Sequence, residues 1–372
     1  MSAAALFVCH VDTARTWRGG QAQILGLVRG LATRGHRNLV VAPPGPLADR
    51  LRAESLAWHS LVARNDLDLW SAWKLGRLLR RERPDIVHLH SGRAHAVGTW
   101  AARAAGRPPV VVSRRVDFDV STPASRALKY GRGVDRFLCI SEGVRAVLVR
   151  AGVPAERLRV VPSGIDVERW AQRPDAGPGR RRLGVADGAP LVGTIAALAP
   201  HKDLFNLLAA AERLAAVRPD ARWVVFGEGE LRARLEADRR ARGLEQRVAF
   251  PGFTEDVGAA LAALDVFVLS SYLEGLGTSV LDAQAAGVPV VATRVGGVPE
   301  MIVDGDSGWL VPPRDPEALA AAVADALARP EEARRRAERA RQTVRRFSLD
   351  ATVEGTLAVY REVLAERAGA GR

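Results

Sequence analysis

A chain of 372 residues is longer than one hydrophobic core usually supports, so two domains are expected. Its 48% hydrophobic and 26% charged content is that of a packed, water-soluble protein and excludes a disordered one. The net charge of +12 is unevenly placed: residues 1–170 hold 27 Lys+Arg against 14 Asp+Glu, and residues 171–372 hold 27 against 28. Such a basic first half suits an anionic surface or an anionic acceptor, and nucleic acid is not expected as a partner.

No run reaches the ~18 apolar residues that would span a bilayer as a helix. Met1 to Val11 is apolar but lacks a basic leading segment, so it reads as a first buried strand rather than a signal peptide. Cys9 and Cys139 each lie in an apolar run and read as core thiols of a reduced, cytoplasmic protein.

Short β-branched runs alternate with helical stretches from end to end. In the first half strands are predicted at 6–12, 37–42, 58–63, 86–91, 109–114, 136–141 and 158–162, with helices between them, among them 20–34, 69–83 and 142–151. The second half repeats the pattern, with strands at 191–198, 222–227, 247–251, 265–270, 289–294 and 308–311 and helices at 203–217, 229–242, 277–286 and 315–328. Residues 170–179 are rich in Pro and Gly and show no period, which marks a linker. The expected fold class is α/β, two doubly wound domains with a ligand cleft at their strand carboxyl ends. The tail, a basic helix over 331–346 and a last helix over 349–366, reads mostly as solvated helices packed on the outside.

The strongest chemical signal runs from Leu269 to Thr293, with Glu274, Gly275, Leu276, Gly277, Thr278 and Asp282 at its centre. A buried strand ends, a Gly-containing turn follows, and a helix begins near Gly277. The first helical amides are unpaired and carry the positive end of the helix dipole, which suits a phosphate. Glu274 at the strand tip is placed to accept hydrogen bonds from sugar hydroxyls, and Asp282 from a vicinal diol such as a ribose. Lys202 is the lone lysine of the second half, at a strand–helix junction, in a chain that otherwise chooses arginine; a compact ammonium there suits a phosphate.

Residues 274–300 resemble the signature of the retaining glycosyltransferases of family 4, which have the GT-B architecture: two Rossmann-like domains facing a central cleft. Residues 140–166 and 193–211 resemble the end of that family's first domain and the opening of its second. The resemblance implies an acceptor-binding domain over 1–168, a nucleotide-sugar donor-binding domain over 169–346, and a C-terminal helix over 347–372 that packs back on the first domain. It implies catalytic roles for Glu274, Lys202 and Arg115, and a diphosphate held by amides near Gly275, Leu276, Gly277 and Thr278. Asp282 would hold the ribose, Gly227 would border the base, and the Gly19-Gly20 loop would face the donor. His90, Arg114 and Arg18 are acceptor-side candidates.

The implied activity is transfer of a sugar from a nucleotide-diphosphate sugar to a hydroxyl of a glycan, lipid-linked or lipopolysaccharide-type acceptor. Retention of configuration, a place in cell-envelope polysaccharide biosynthesis, and no metal or other cofactor go with it. Alternatives are a sugar-nucleotide 2-epimerase on the same architecture and a partner subunit with weakened turnover. Three departures stand out: Asp282 replaces the usual glutamate, Ala197 an arginine, and Arg115 a histidine. An arginine among Arg15, Arg18, Arg114 and Arg115 would supply the missing clamp from across the cleft.

Other motifs are weaker. His88 and His90 share a strand face and His95 follows, but no third metal ligand can be placed, so they read as satisfied polar groups. Asp117-Phe-Asp119 matches a metal-binding D-x-D pattern of an unrelated fold. The segment Leu67 to Arg83 combines Leu67, Trp70, Trp73, Leu75 and Leu78 with five basic residues. It reads first as an ordinary surface helix with its apolar side in the core, and alternatively as a peripheral contact with an anionic membrane at the inner face.

Overall fold

The computed structural model describes residues 4–115, 130, 133–170, 175–186 and 188–370. Asp117-Phe-Asp119 and part of the expected linker lie outside the described residues. The chain forms two compact units, residues 1–164 with 349–372, and residues 165–348.

The first unit holds strands β1 Phe7–Val11, β2 Arg37–Ala42, β3 Trp58–Ser60, β4 Ile86–Leu89, β5 Val110–Arg114, β6 Arg136–Cys139 and β7 Leu158–Val160. They form one parallel sheet in the order β3-β2-β1-β4-β5-β6-β7. The central strands are buried along their whole length, as aliphatic runs covered by helices on both faces must be. Strand order reverses between β1 and β4, and the crevice beyond their carboxyl ends is where such sheets bind ligands.

The second unit holds β8 Leu191–Ile195, β9 Arg222–Phe226, β10 Val248–Gly252, β11 Val266–Leu269, β12 Val290–Thr293 and β13 Trp309–Val311. Its parallel sheet runs β10-β9-β8-β11-β12-β13, with the reversal between β8 and β11. Every predicted strand forms, most of them trimmed at the ends where the chain leaves the sheet.

The expected linker is corrected. Trp170 is buried, and Ala176–Arg182 is a helix capped by Asp175, whose side chain accepts from the Gly177 amide. Arg180 of that helix donates to the Ala263 carbonyl at 2.9 Å and to Asp265 at 3.0 Å, which ties the segment to the second unit. Pro and Gly disguised a short capped helix as a linker. The unit boundary falls at Gly164/Ile165, and Ile165 pairs with Ser348, the last residue of the same unit.

The last helix, Leu349–Ala370, is not solvated on all sides. Val353, Leu357, Tyr360 and Val363 fall on one face and join Val8, Leu31, Ile86 and Val111 in the first unit's core. Close approach requires glycine on the helix Gly19–Thr33: a Cβ at Gly26 would lie 2.8 Å from Leu349, and one at Gly30 would lie 2.5 Å from Val353. Cys9 and Cys139 are buried and unpaired, and burial pushes both thiols up to about 12, so both are inert core residues.

Gly30→Leu is expected to lower unfolding free energy by about 1–3 kcal/mol through overpacking against Val353. Urea denaturation checks this, and an unchanged midpoint would contradict the packing described.

Candidate functional site

In the second unit, the loops that follow β8 and β11 meet at the strand-order reversal. The β8 loop ends in the short turn Pro200–Lys202, and Asp203 follows in the left-handed region. Ser270 Oγ donates to the Lys202 carbonyl at 2.8 Å, and the Tyr272 amide donates to the His201 carbonyl at 3.0 Å. Thr293 Oγ1 at the end of β12 donates to the Ser271 carbonyl at 2.5 Å. These bonds fix the backbone on which two charged side chains meet.

Lys202 Nζ donates to Glu274 Oε1 in an ion pair. Ser271 Oγ donates to the same oxygen at 2.8 Å. Glu274 is only 7% exposed, so this carboxylate is held by its partners rather than by water. Gly277 begins the helix Thr278–Ala285 at φ 89°, a conformation that favours glycine. No side chain caps that helix and no acidic residue lies in its first turn, which leaves its amino end open to an anion. Leu276 is buried beneath the turn.

Asp282 lies one turn further along. Burial pushes its carboxyl up to about 7, and the nearby Arg169 charge opposes this only in part. The Trp170 indole also faces it and opposes the rise further, although its Nε1 meets no hydrogen-bond geometry among the described residues. Gly227 has a packing reason of its own: at φ 145° its α-carbon sits so close to the Ala196 carbonyl that a Cβ would collide with it. The β8 and β9 loops are thereby laced together, with the Leu198 amide donating to the Glu228 carbonyl at 3.0 Å. Gly229 is similarly crowded by Leu198, and the following helix starts at Arg232 rather than 229.

In the first unit, the β1/β4 reversal carries a polar cluster that sequence analysis resolved only in part. The third histidine that could not be placed is His10 on β1, directly opposite His88 in register. His10, His88 and His90 are all buried, and their ring nitrogens lie within 4.8 Å of one another, close enough for a metal site. The hydrogen bonds decide what the cluster is. Arg115 Nη2 lies 3.2 Å from His90 Nδ1, and a guanidinium only donates, so this nitrogen accepts. His90 Nε2–H then donates to His10 Nδ1 at 3.0 Å, and His10 Nε2–H donates to Asn38 Oδ1 at 3.1 Å. His88 bonds Tyr360 Oη at 2.6 Å and Ser113 Oγ at 2.8 Å. Burial pushes all three imidazoles down, His10 to about 4, so they are neutral. Every ring nitrogen is used, beside a permanent cation, and the set reads as a closed hydrogen-bond chain rather than an open ligand set.

Arg115 itself is drawn inward. Its guanidinium bonds His90 and, at 3.4 Å, Ser163, and burial lowers it to about 10. The Asp12 charge opposes that shift. Asp12 accepts from Gln21 Nε2 at 3.0 Å, while its Oδ1 is buried with no hydrogen-bond partner among the described residues. Gln21 Oε1 in turn accepts from the Arg18 amide at 3.2 Å and shapes the Gly19-Gly20 turn. Arg18 and Arg15 are exposed, and Arg114 ends β5. His95 is buried against Tyr130 and Phe137, apart from the other three histidines. Asp12 and His10 were missed although their alternation along β1 put two polar residues at a strand end that should be apolar.

The family model for Glycosyl transferases group 1 matches residues 178–343, and that for Glycosyltransferase Family 4 matches residues 17–169. A 2-deoxystreptamine N-acetyl-D-glucosaminyltransferase of Streptomyces fradiae is 31% identical over 97% of this chain and 96% of its own. This chain belongs to glycosyltransferase family 4. A GDP-mannose-dependent alpha-(1-6)-phosphatidylinositol monomannoside mannosyltransferase of Mycolicibacterium smegmatis is 30% identical over 85% of this chain and 87% of its own. Among solved structures, Anabaena HepE in complex with UDP and glucose superposes with a TM-score of 0.86 at 20% identity, over 96% of this chain and 100% of that one. A glycosyltransferase from Rickettsia africae gives 0.87 at 19% identity, over 97% and 99%. These likenesses establish the GT-B fold, and the family-4 chain is a glycosyltransferase.

His10→Ala leaves the His90 Nε2–H buried without an acceptor and is expected to cost about 1–3 kcal/mol of stability. His10→Gln, which accepts and donates in the same place, is expected to recover most of it. Equal stability of wild type and His10→Ala in guanidinium melts would contradict the chain described.

Proposed function

We propose that this family-4 enzyme moves a sugar from a nucleotide-diphosphate sugar to an acceptor hydroxyl with retention of anomeric configuration. The observation that carries the reading is the Lys202–Glu274 pair beside the open amino end of Thr278–Ala285. The donor diphosphate takes the helix amides around Leu276, Gly277 and Thr278 and draws Lys202 from Glu274. Glu274, so released, accepts from the donor sugar's hydroxyls. Asp282 accepts from the ribose, and Gly227 borders the base.

Transfer then breaks the bond between the anomeric carbon and the diphosphate oxygen and forms one from that carbon to the acceptor oxygen on the same face. The acceptor's proton passes to the leaving phosphate. Helix amides and Lys202 hold the charge that develops there, a contribution that is large in many enzymes. That charge needs no metal for its neutralisation. Named relatives use UDP-Gal or GDP-mannose, and one acts in lipopolysaccharide core biosynthesis. By extension the acceptor here is a glycan or a lipid-linked saccharide of the cell envelope, met at the cytoplasmic side of the membrane. In this reading Arg115 keeps the catalytic role expected of it, and His90, Arg114 and Arg18 serve the acceptor.

Glu274→Gln and Lys202→Ala are each expected to lower transfer by roughly 10²–10³-fold. The product anomer read by NMR should match the donor's; an inverted product or near-native variant rates would overturn the reading.

Asp282 gives a pH signature. In the empty site its carboxyl, raised to about 7, is protonated below that pH, while the ribose needs it ionised to accept from two hydroxyls. Donor affinity is therefore expected to fall as pH drops through about 7, approaching tenfold per pH unit below that. Titration calorimetry of Asp282→Asn should lose this slope; the same slope in the variant would assign it to another group.

A further inference from the structure

The helix Leu69–Glu82 in the first unit buries Ala72, Leu75, Leu78 and Leu79 against the core. Its core face is thus complete without either tryptophan. Trp70 and Trp73 instead stand in water, 61% and 44% exposed, with Leu67 and Leu69 beside them at 69% and 62%. The two indoles stack, with centroids 4.8 Å apart and planes 12° from parallel. Large apolar groups gathered in this way are uncommon on a protein that meets only water.

Cations frame the pair. Lys74 Nζ sits 5.1 Å from the Trp70 ring and the Arg77 guanidinium 4.9 Å from the Trp73 ring. Among the described residues, Lys74, Arg77 and Arg80 form no ion pair within the chain. Neighbouring carboxylates are already engaged: Asp68 caps the helix through the Ser71 amide, and Glu82 pairs with Arg81 and Arg37. The adjoining helix Gly92–Ala104 packs close enough that a Cβ at Gly76 would lie 3.2 Å from the Ala101 carbonyl. It adds Trp100, partly exposed, with Arg103 over its ring at 5.6 Å.

We infer that this tryptophan face docks the enzyme on an anionic lipid surface. Indoles have an apolar body and a polar N–H and settle at the boundary of acyl chains and headgroups. Lysine and arginine beside them reach the anionic headgroups. A second copy of the chain would set these unpaired cations against their own like, so self-association is disfavoured. No helix among the described residues is long and apolar enough to cross a membrane, so the contact is peripheral. The inference does not depend on the donor site, and vesicle binding is measured without donor.

The test uses the full chain and flotation with vesicles of phosphatidylcholine alone or with about a third phosphatidylglycerol. Binding is expected only to the anionic vesicles and should fall roughly tenfold or more in Trp70→Ser/Trp73→Ser and in Lys74→Glu/Arg77→Glu. Thermal melts and the thermal shift given by nucleoside diphosphates, both expected to match wild type, show that each variant is folded. No binding to anionic vesicles, or equal binding by folded variants, would overturn the inference. So would light scattering that showed a dimer lost in the tryptophan variant, which assigns the face to a second copy, or capture of the face by an acidic protein with no vesicle binding.

Discussion

The carboxylate of Glu274 and the ammonium of Lys202 meet where strand order reverses in the second sheet, and most of what surrounds them serves to hold them there. Removing a carboxylate from water is costly unless a cation and hydrogen-bond donors replace the solvent. Lys202 and Ser271 supply both. Their backbones are in turn locked by Ser270, Tyr272 and Thr293, so the two loops form one rigid edge. On the proposed function, an incoming diphosphate offers Lys202 a second partner, and the donor sugar's hydroxyls offer Glu274 donors in return. The helix Thr278–Ala285, uncapped and free of acid in its first turn, leaves the space beside the pair positive.

The first unit solves a similar problem with neutral groups. Three histidines at the β1/β4 reversal are too deeply buried to carry charge; His90 and His10 pass their protons in one direction from Arg115 to Asn38, and His88 is held apart by Tyr360 and Ser113. Arg115 is the end of that chain, the point at which the family usually places a histidine. Arg115 is oriented by His90 and faced by the Asp12 charge, whose Oδ1 is buried without a partner among the described residues.

Much of the fold was legible in the sequence because parallel strands buried on both faces are unbroken aliphatic runs, readable without any partner. The Glu274–Asp282 segment was legible for a related reason: a strand, a glycine turn and a helix start fall within a few residues. What escaped was set by contacts distant in sequence. The helix Ala176–Arg182 depends on Arg180 reaching Asp265, and a Pro/Gly-rich composition concealed it. The packing of the final helix on the first unit was implied by the resemblance, but the close approach that Gly26 and Gly30 permit, more than three hundred residues earlier, was not readable in advance. His10 could be joined to His88 and His90 only once β1 and β4 were known to be neighbours. Gly227 shows the converse: a glycine read for a ligand is already required by the Ala196 carbonyl.

The most direct test of the donor site is titration calorimetry of UDP, GDP, ADP and CDP, with the best ligand then compared with its nucleoside on wild type and Lys202→Ala. The account predicts that the diphosphate binds far more tightly than the nucleoside and that Lys202→Ala weakens the diphosphate by roughly tenfold or more while leaving the nucleoside unchanged. Equal diphosphate affinity in the two proteins would contradict it and place the phosphate site elsewhere.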